Sequence, residues 1–218
     1  MTLQSLLDFI VNNQTQIYDY TWEHFKLVGL AILISISIGV PLGIYLTTNE
    51  ELADTILQAA NIMMTVPSIA LFGIMMPLLS LINQGIGFVP ALIALILYSQ
   101  LPIIRNTYVA IRNVDPVIRD AAIGIGMKTF ERIRKVEIPN ALPLIMAGIR
   151  QAVVLCIGIG AIAAFIGAGG LGVMINQGIS RSIREMVVTG AISISVLSII
   201  ADSLLALLQK RLTPKGLK

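Results

Sequence analysis

The sequence predicts an all-α membrane protein of about five spanning helices, and three observations carry that prediction. Apolar residues make up 56% of the 218-residue chain and charged residues only 12%, with a mean hydropathy of +0.87. Soluble domains carry about 25% charged residues. The apolar residues gather into five runs, each near the roughly 20 residues a helix needs to cross a bilayer. Those runs also lack the alternation that a lipid-facing β-barrel requires.

At the start of the chain, Leu3, Leu6, Leu7 and Ile10 repeat at helical spacing. That pattern predicts an amphipathic helix lying on the outer membrane face, within an extracytoplasmic segment 1–24. Tyr18, Tyr20, Trp22 and Phe25 follow it. They fit an interfacial aromatic belt, although a cluster of aromatics can also cage a quaternary ammonium. Acids rather than a basic stretch open the chain, so no cleavable signal peptide is expected.

The transmembrane unit spans residues 25–210, with runs at Leu27–Leu46, Ile56–Ile82, Phe88–Ile104, Leu142–Ile166 and Met186–Leu208. Pro67 and Pro77 sit inside the second run, so that span should be kinked or broken, with neighbouring helices or water meeting the freed carbonyls. A basic tail, 211–218, closes the chain.

Lys and Arg set the orientation. Seven of them fall between Arg105 and Lys135, and Lys210, Arg211, Lys215 and Lys218 follow the last run. Both segments belong in the cytoplasm, which puts the N-terminus outside and the C-terminus inside after five crossings. The loop Thr47–Thr55 should then be cytoplasmic, yet it carries Glu50, Glu51 and Asp54 and no basic residue. Acidic residues weigh little in this rule.

Catalysis and metal binding find little to build on. The one Cys, Cys156, lies in an apolar run as a small core residue, and the one His, His24, stands alone at an expected membrane edge. Neither can form a metal cluster. Gly167–Gly172 matches G-x-G-x-x-G letter by letter, but it follows a spanning helix rather than a strand, so the dinucleotide reading fails. It instead forms a flexible or tightly packed exit from the fourth span. Gly126-Met127-Lys128-Thr129 lacks the spacing of a Walker A end, and no P-loop occurs elsewhere.

Polar residues inside the runs mark candidate working parts. Arg150 and Asp202 lie at similar depths, so an intramembrane charge pair is expected; a fourth span starting near Gly148 would instead leave Arg150 at the headgroups. Thr65, Pro67, Ser68, Tyr98, Ser99 and Gln100 cluster around breaks in the second and third spans, where transporters build pathways. They are the gate candidates. Gly39, Gly43, Gly160, Ala164 and Ala168 form small-residue stripes that let helices approach, most simply within the chain.

The only long charged stretch runs from Asp120 to Pro143, most of it within a loop 112–140. Asp115 can cap a helix with Pro116 at its first position. Gly124 and Gly126 permit a sharp turn, Thr129 can cap a second helix, and Pro139 should end it. Such a stretch fits either a rigid knuckle that seats in a partner's groove or a solvated connecting loop.

A family pattern lies across the same residues. Asp120-Ala121-Ala122, three residues, Gly126, nine residues and then Val136-Glu137-Ile138-Pro139 resemble the EAA loop of bacterial ABC importer permeases of the type I, MetI-like class. Asp120 stands where the family has Glu, and Val136 and Ile138 replace Ile and Leu. The resemblance extends over roughly residues 20–217. TVPSIAL (65–71), LPIIRNTY (101–108), IMAGIR (145–150), FIGAGGLG (165–172) and LTPKGL (212–217) are similar to Opu-type permeases for glycine betaine, carnitine and choline.

That resemblance implies a transport subunit working by alternating access, with no catalytic residue, metal or cofactor of its own. Asp120, Ala121, Ala122, Gly124, Gly126, Met127, Glu137 and Pro139 would then couple it to an ATP-binding subunit that holds ATP and magnesium. The other implied partners are a second permease, identical or paralogous, an extracytoplasmic solute-binding protein, and membrane lipid, but no nucleic acid. The location is the bacterial cytoplasmic membrane. The main rival is an ion-coupled secondary transporter, which needs embedded acids, and Asp202 is its one candidate. A membrane enzyme would need clustered His, Asp, Glu or Cys, and a lipid-binding scaffold would bind without transport.

Overall fold

The computed structural model describes residues 1–213, and every regular element among them is helical. The tail positions Lys215 and Lys218, and most of the 212–217 motif, lie outside the described residues. Among the described residues four helices are long and apolar enough to cross a membrane, and one bent pair, counted as a single span, would make five.

Helix α1 (Leu3–Asn12) is capped by a reciprocal pair of bonds between Thr2 and Ser5. Its apolar stripe is only partly covered: Leu6 is buried, while Leu3 and Leu7 are exposed. After a one-residue break at Asn13, α2 runs unbroken over Gln14–Leu46. The boundary drawn after residue 24 therefore falls inside a helix. The aromatic residues and the first span share one rod.

His24 does not stand alone but is fully buried among the helices. Its Nε2 lies 3.1 Å from the Ile157 carbonyl oxygen, in a slot left open by Gly160 and Gly170. Beside it, the Gly170 amide donates to Glu23 Oε2 at 2.9 Å. The glycine-rich segment is thus a tightly packed exit, clasped by α2.

Helix α3 (Glu50–Thr65) starts where Asn49 Oδ1 accepts from the Leu52 amide, and α4 covers Ser68–Ser80. The two meet at 101°. Of the two prolines in this region, only Pro67 stands at the break. Pro77 sits inside α4, a helix that is apolar on every side.

The core of the bundle is α2, α5 (Phe88–Arg112) and α8 (Ile138–Ile162). Glycine brings them together. A Cβ built on Gly43 would stand 2.7 Å from Thr107 Cβ, and one on Gly148 would stand 2.5 Å from Asn106 Cβ. Gly39 meets Ile103 on the same seam. These stripes are intrachain packing, and close backbone approach replaces the hydrophobic drive that lipid removes. Cys156 is a fully buried core residue.

A 3-10 turn (Ala163–Ile166) leads from α8 into the glycine loop, followed by α9 (Gly172–Ser180) and α10 (Arg184–Leu212). The most apolar stretch of α10 buries no residue inside the chain. It rides on the outside of the bundle.

Candidate functional site: the elbow, the staple and the polar cavity

Between α5 and α8 the chain builds the elbow. Asp115 Oδ1 accepts from the Val117 amide at 2.9 Å and starts α6 (Pro116–Gly124), with Pro116 at its first turn. Gly124 is the last residue of that helix and has ordinary helical geometry. The turn is carried by Gly126 alone, whose φ of +81° lies in the left-handed region. Thr129 does not cap the next helix. That N-cap is Lys128, without a side-chain bond, and α7 covers Thr129–Arg132.

Nor does Pro139 end anything. A π turn over Ile133–Glu137 joins α7 to α8, with the Ile138 amide reaching back five residues to Ile133 O. The wider turn lets Pro139 fall in the first turn of α8, where a missing N–H is tolerated. Asn140 Nδ2 adds a bond to Val136 O at 2.7 Å. Helix α8 starts at Ile138, four residues before the apolar run, and elbow and span form one helical run from Thr129 to Ile166.

Glu137 braces the elbow from within. It is 3% exposed. Its Oε1 accepts from Arg132 Nε at 2.7 Å and lies 3.2 Å from Arg119 Nε. Arg119 also donates to Ile111 O at 2.9 Å, so one carboxylate ties α6 and α7 to the end of α5. Ala122 is buried against this frame, whereas Asp120, Ala121, Gly124 and Gly126 face outward and Met127 and Pro139 are half-buried. Beside them Val117, Ile125 and Phe130 are 73%, 75% and 74% exposed. An apolar surface of that kind on a charged loop calls for a partner. The sequence reading missed those three side chains; their signal was large apolar residues flanking small ones.

A second arrangement joins α8 to α10. Arg150 Nε and one terminal nitrogen donate to the two oxygens of Asp202, each at 2.8 Å. The other terminal nitrogen donates to Gln209 Oε1 at 3.0 Å, and Gln209 Nε2 donates to Pro143 O at 2.9 Å. Arg150 sits twelve residues into α8, roughly 18 Å along it. Gln209 was not singled out from sequence.

The gate candidates separate into three groups. Tyr98 donates its hydroxyl to Val66 O and so satisfies a carbonyl at the Pro67 break. Ser99 is fully buried, donating to Ser35 Oγ at 2.6 Å, and lines nothing open. Gln100 packs under Gly39. Both corrections have one cause: the helical twist of α5 turns these two positions toward α2. Thr65 does line a cavity of about 620 Å³, while Pro67 and Ser68 do not line it. The cavity's other polar residues, Asn61, Arg105, Asn106 and Gln151, were missed because they come from three separate helices.

These features correspond to known proteins. Residues 39–214 match the family described as the binding-protein-dependent transport system inner membrane component. The osmoprotectant import permease protein OsmW of Salmonella typhimurium is 50% identical over 212 residues, covering 97% of this chain and 99% of that protein. The glycine betaine/carnitine/choline transport system permease protein OpuCB of Bacillus subtilis is 40% identical over 216 residues, covering 99% and 97%. The fold matches inward-facing structures of the MetNI methionine ABC transporter, with a TM-score of 0.84 at 21% identity over 93% of this chain and 99% of that one. With a family match across most of its length and a permease fold to go with it, this chain belongs to the inner-membrane components of binding-protein-dependent transport systems.

Proposed function

We propose that this chain forms half of an ATP-driven import pathway for quaternary-ammonium osmoprotectants such as glycine betaine, carnitine and choline. The observation that carries the reading is end-to-end identity, at 50% and 40%, with permeases named for those solutes. Membership of the family implies an ATPase and a binding protein as partners in general. The composition proposed here is an ATP-binding subunit holding ATP and magnesium, a second permease, identical or paralogous, and an extracytoplasmic receptor that delivers solute. The N-terminus is outside and the C-terminus cytoplasmic, with the membrane lipid as solvent.

In this mechanism the outward face of the elbow, with Asp120, Ala121, Ala122, Gly124, Gly126 and Met127, seats in a groove on the ATPase. Glu137 and Pro139 fix the angle of that face to α8. Closure of the ATPase on ATP moves the elbow, and α8 carries the motion into the bundle. The solute crosses beside the Pro67 break, along the polar cavity. No bond is made or broken in this chain, and no catalytic group or cofactor is assigned to it. Asp202, the one acid an ion-coupled carrier could use, is bound at both oxygens by Arg150, which favours the ATP-driven reading.

The test is a pull-down from native membranes, wild type against Gly126→Asp. A side chain at φ +81° is strained, and the added charge would face the partner's groove. An ATPase subunit that copurifies with wild type and is lost with the variant supports the reading. No ATPase with either overturns it.

A further inference from the structure

The cavity walled by α3, α5 and α8 has an uneven chemistry. Its polar lining is Asn61 and Thr65 from α3, Arg105 and Asn106 from α5, and Gln151 from α8. Arg105 is the one charged residue of that lining. Asp54 faces it from an adjoining hollow, which shares Asn61, Leu101 and Arg105 with the cavity. Even so, among the described residues no carboxylate oxygen lies within 4.0 Å of the Arg105 guanidinium, and that group donates to no protein acceptor.

The other arginines of the same two helices are engaged, Arg112 by Glu50 and Arg150 by Asp202. Arg105 lies seven residues before the end of α5, roughly 10 Å from it. Arg105, Asn61 and Gln151 are all exposed within the chain, so the guanidinium is open to whatever enters the cavity. Asn106 Nδ2 is already spent on Pro102 O at 2.7 Å. The Asn61 and Gln151 amides make no side-chain bond among the described residues, so they add free donors around the guanidinium fork.

A guanidinium presents paired N–H donors that match a carboxylate. The lining holds no aromatic ring, so a quaternary ammonium meets no cation–π cage there. A purely cationic solute meets a like charge instead. We infer that Arg105, with the Asn61 and Gln151 amides, holds the carboxylate of a zwitterionic solute in transit. This gives the permease its own selectivity for carboxylate-bearing osmoprotectants, such as glycine betaine and carnitine, over choline. The inference rests on the import reading above and narrows its substrate class.

The experiment uses the whole transporter with its binding protein in proteoliposomes, with ATP inside for an importer. Maximal uptake of glycine betaine and of choline is measured at saturating receptor for each, so that receptor affinity drops out. Wild type is compared with Arg105→Gln and Arg105→Lys, and copurification of the ATPase reports assembly. The expected wild-type rate ratio favours glycine betaine by at least roughly tenfold, the low end of what one hydrogen bond to a charged group supplies. Arg105→Gln brings the ratio down at least fivefold by losing glycine betaine uptake, and Arg105→Lys keeps part of it. A ratio unmoved in Arg105→Gln, or both solutes lost alike in an assembled complex, overturns the inference and leaves the import reading intact. A wild-type transporter that carries neither solute overturns the import reading itself.

Discussion

Arg150 on α8 and Asp202 on α10 meet fork to fork, both contacts at 2.8 Å, with Gln209 closing a third side of the guanidinium. Met186, Thr189 and Gly190 anchor the start of α10, and this polar staple with its bond to Pro143 O holds its far half. Asp202→Asn halves the charge match and strands a cation in an apolar helix. The expected result is a fall in the melting temperature of the purified complex by on the order of several degrees. The double variant Arg150→Met/Asp202→Leu should recover most of it, because an apolar pair of similar size is often no less stable than a buried ion pair. Thermal unfolding of the three proteins in one detergent checks both statements.

Glu137 holds two arginines at once. Glu137→Ala leaves Arg119 and Arg132 facing one another without a counter-charge. The loss should be about 2–3 kcal/mol, below the figure for a fully buried pair because both guanidiniums reach solvent. The effect should be local. ATPase binding weakens while the helical content of the membrane bundle stays unchanged, which circular dichroism beside a copurification assay would show.

Tyr98 and Ser99 are adjacent in sequence but serve different ends. Tyr98→Phe removes the donor to Val66 O at the α3–α4 bend and should cost about 1–2 kcal/mol by leaving a carbonyl unpaired. Solute uptake should fall with it. Ser99→Ala removes one bond inside the α2–α5 seam, at about 0.5–1.5 kcal/mol, with uptake retained in full. Uptake lost with Ser99→Ala and kept with Tyr98→Phe would reverse the roles given to them.

Gly43 and Gly158 make a second contrast. A Cβ at Gly43 lands 2.7 Å from Thr107 and 2.9 Å from a backbone oxygen, whereas Gly158 has nothing within 4 Å. Gly43→Val should abolish accumulation of folded protein in membranes, and Gly158→Ala should leave it unaltered. Quantifying each variant after detergent extraction separates the two.

Composition made the helical, membrane-spanning class legible, because nothing but lipid accommodates so few charges. The elbow was legible too, since Asp115, Pro116 and Gly126 are local signals that act within a few residues of themselves. What failed was long-range. His24 looked solitary, yet it is packed against Gly160 and Gly170, more than a hundred residues away. Pro139 looked like a stop because a proline usually is one, and the π turn that admits it leaves no mark in composition. Ser99 and Gln100 were placed with the polar cavity when only the twist of α5 decides which side they face. Asn61, Arg105 and Gln151 come from three different helices, and no one segment announces them.

From Thr129 to Ile166 the chain is a single rod of 38 residues, about 57 Å at the usual helical rise. Its near end carries the elbow, the face proposed to meet the ATPase, and its far end lies under the glycine loop beside Glu23 and His24. There is no hinge between them, since the wide turn at Ile133–Glu137 is itself held by Glu137 and two arginines. A tilt of only about 5° at one end would sweep the other by about 5 Å, comparable to one helical turn. Power delivered on one side of the bilayer is thereby felt at the opposite mouth without relay through side chains. The bent α3–α4 pair is the compliant part that can yield as the rod swings.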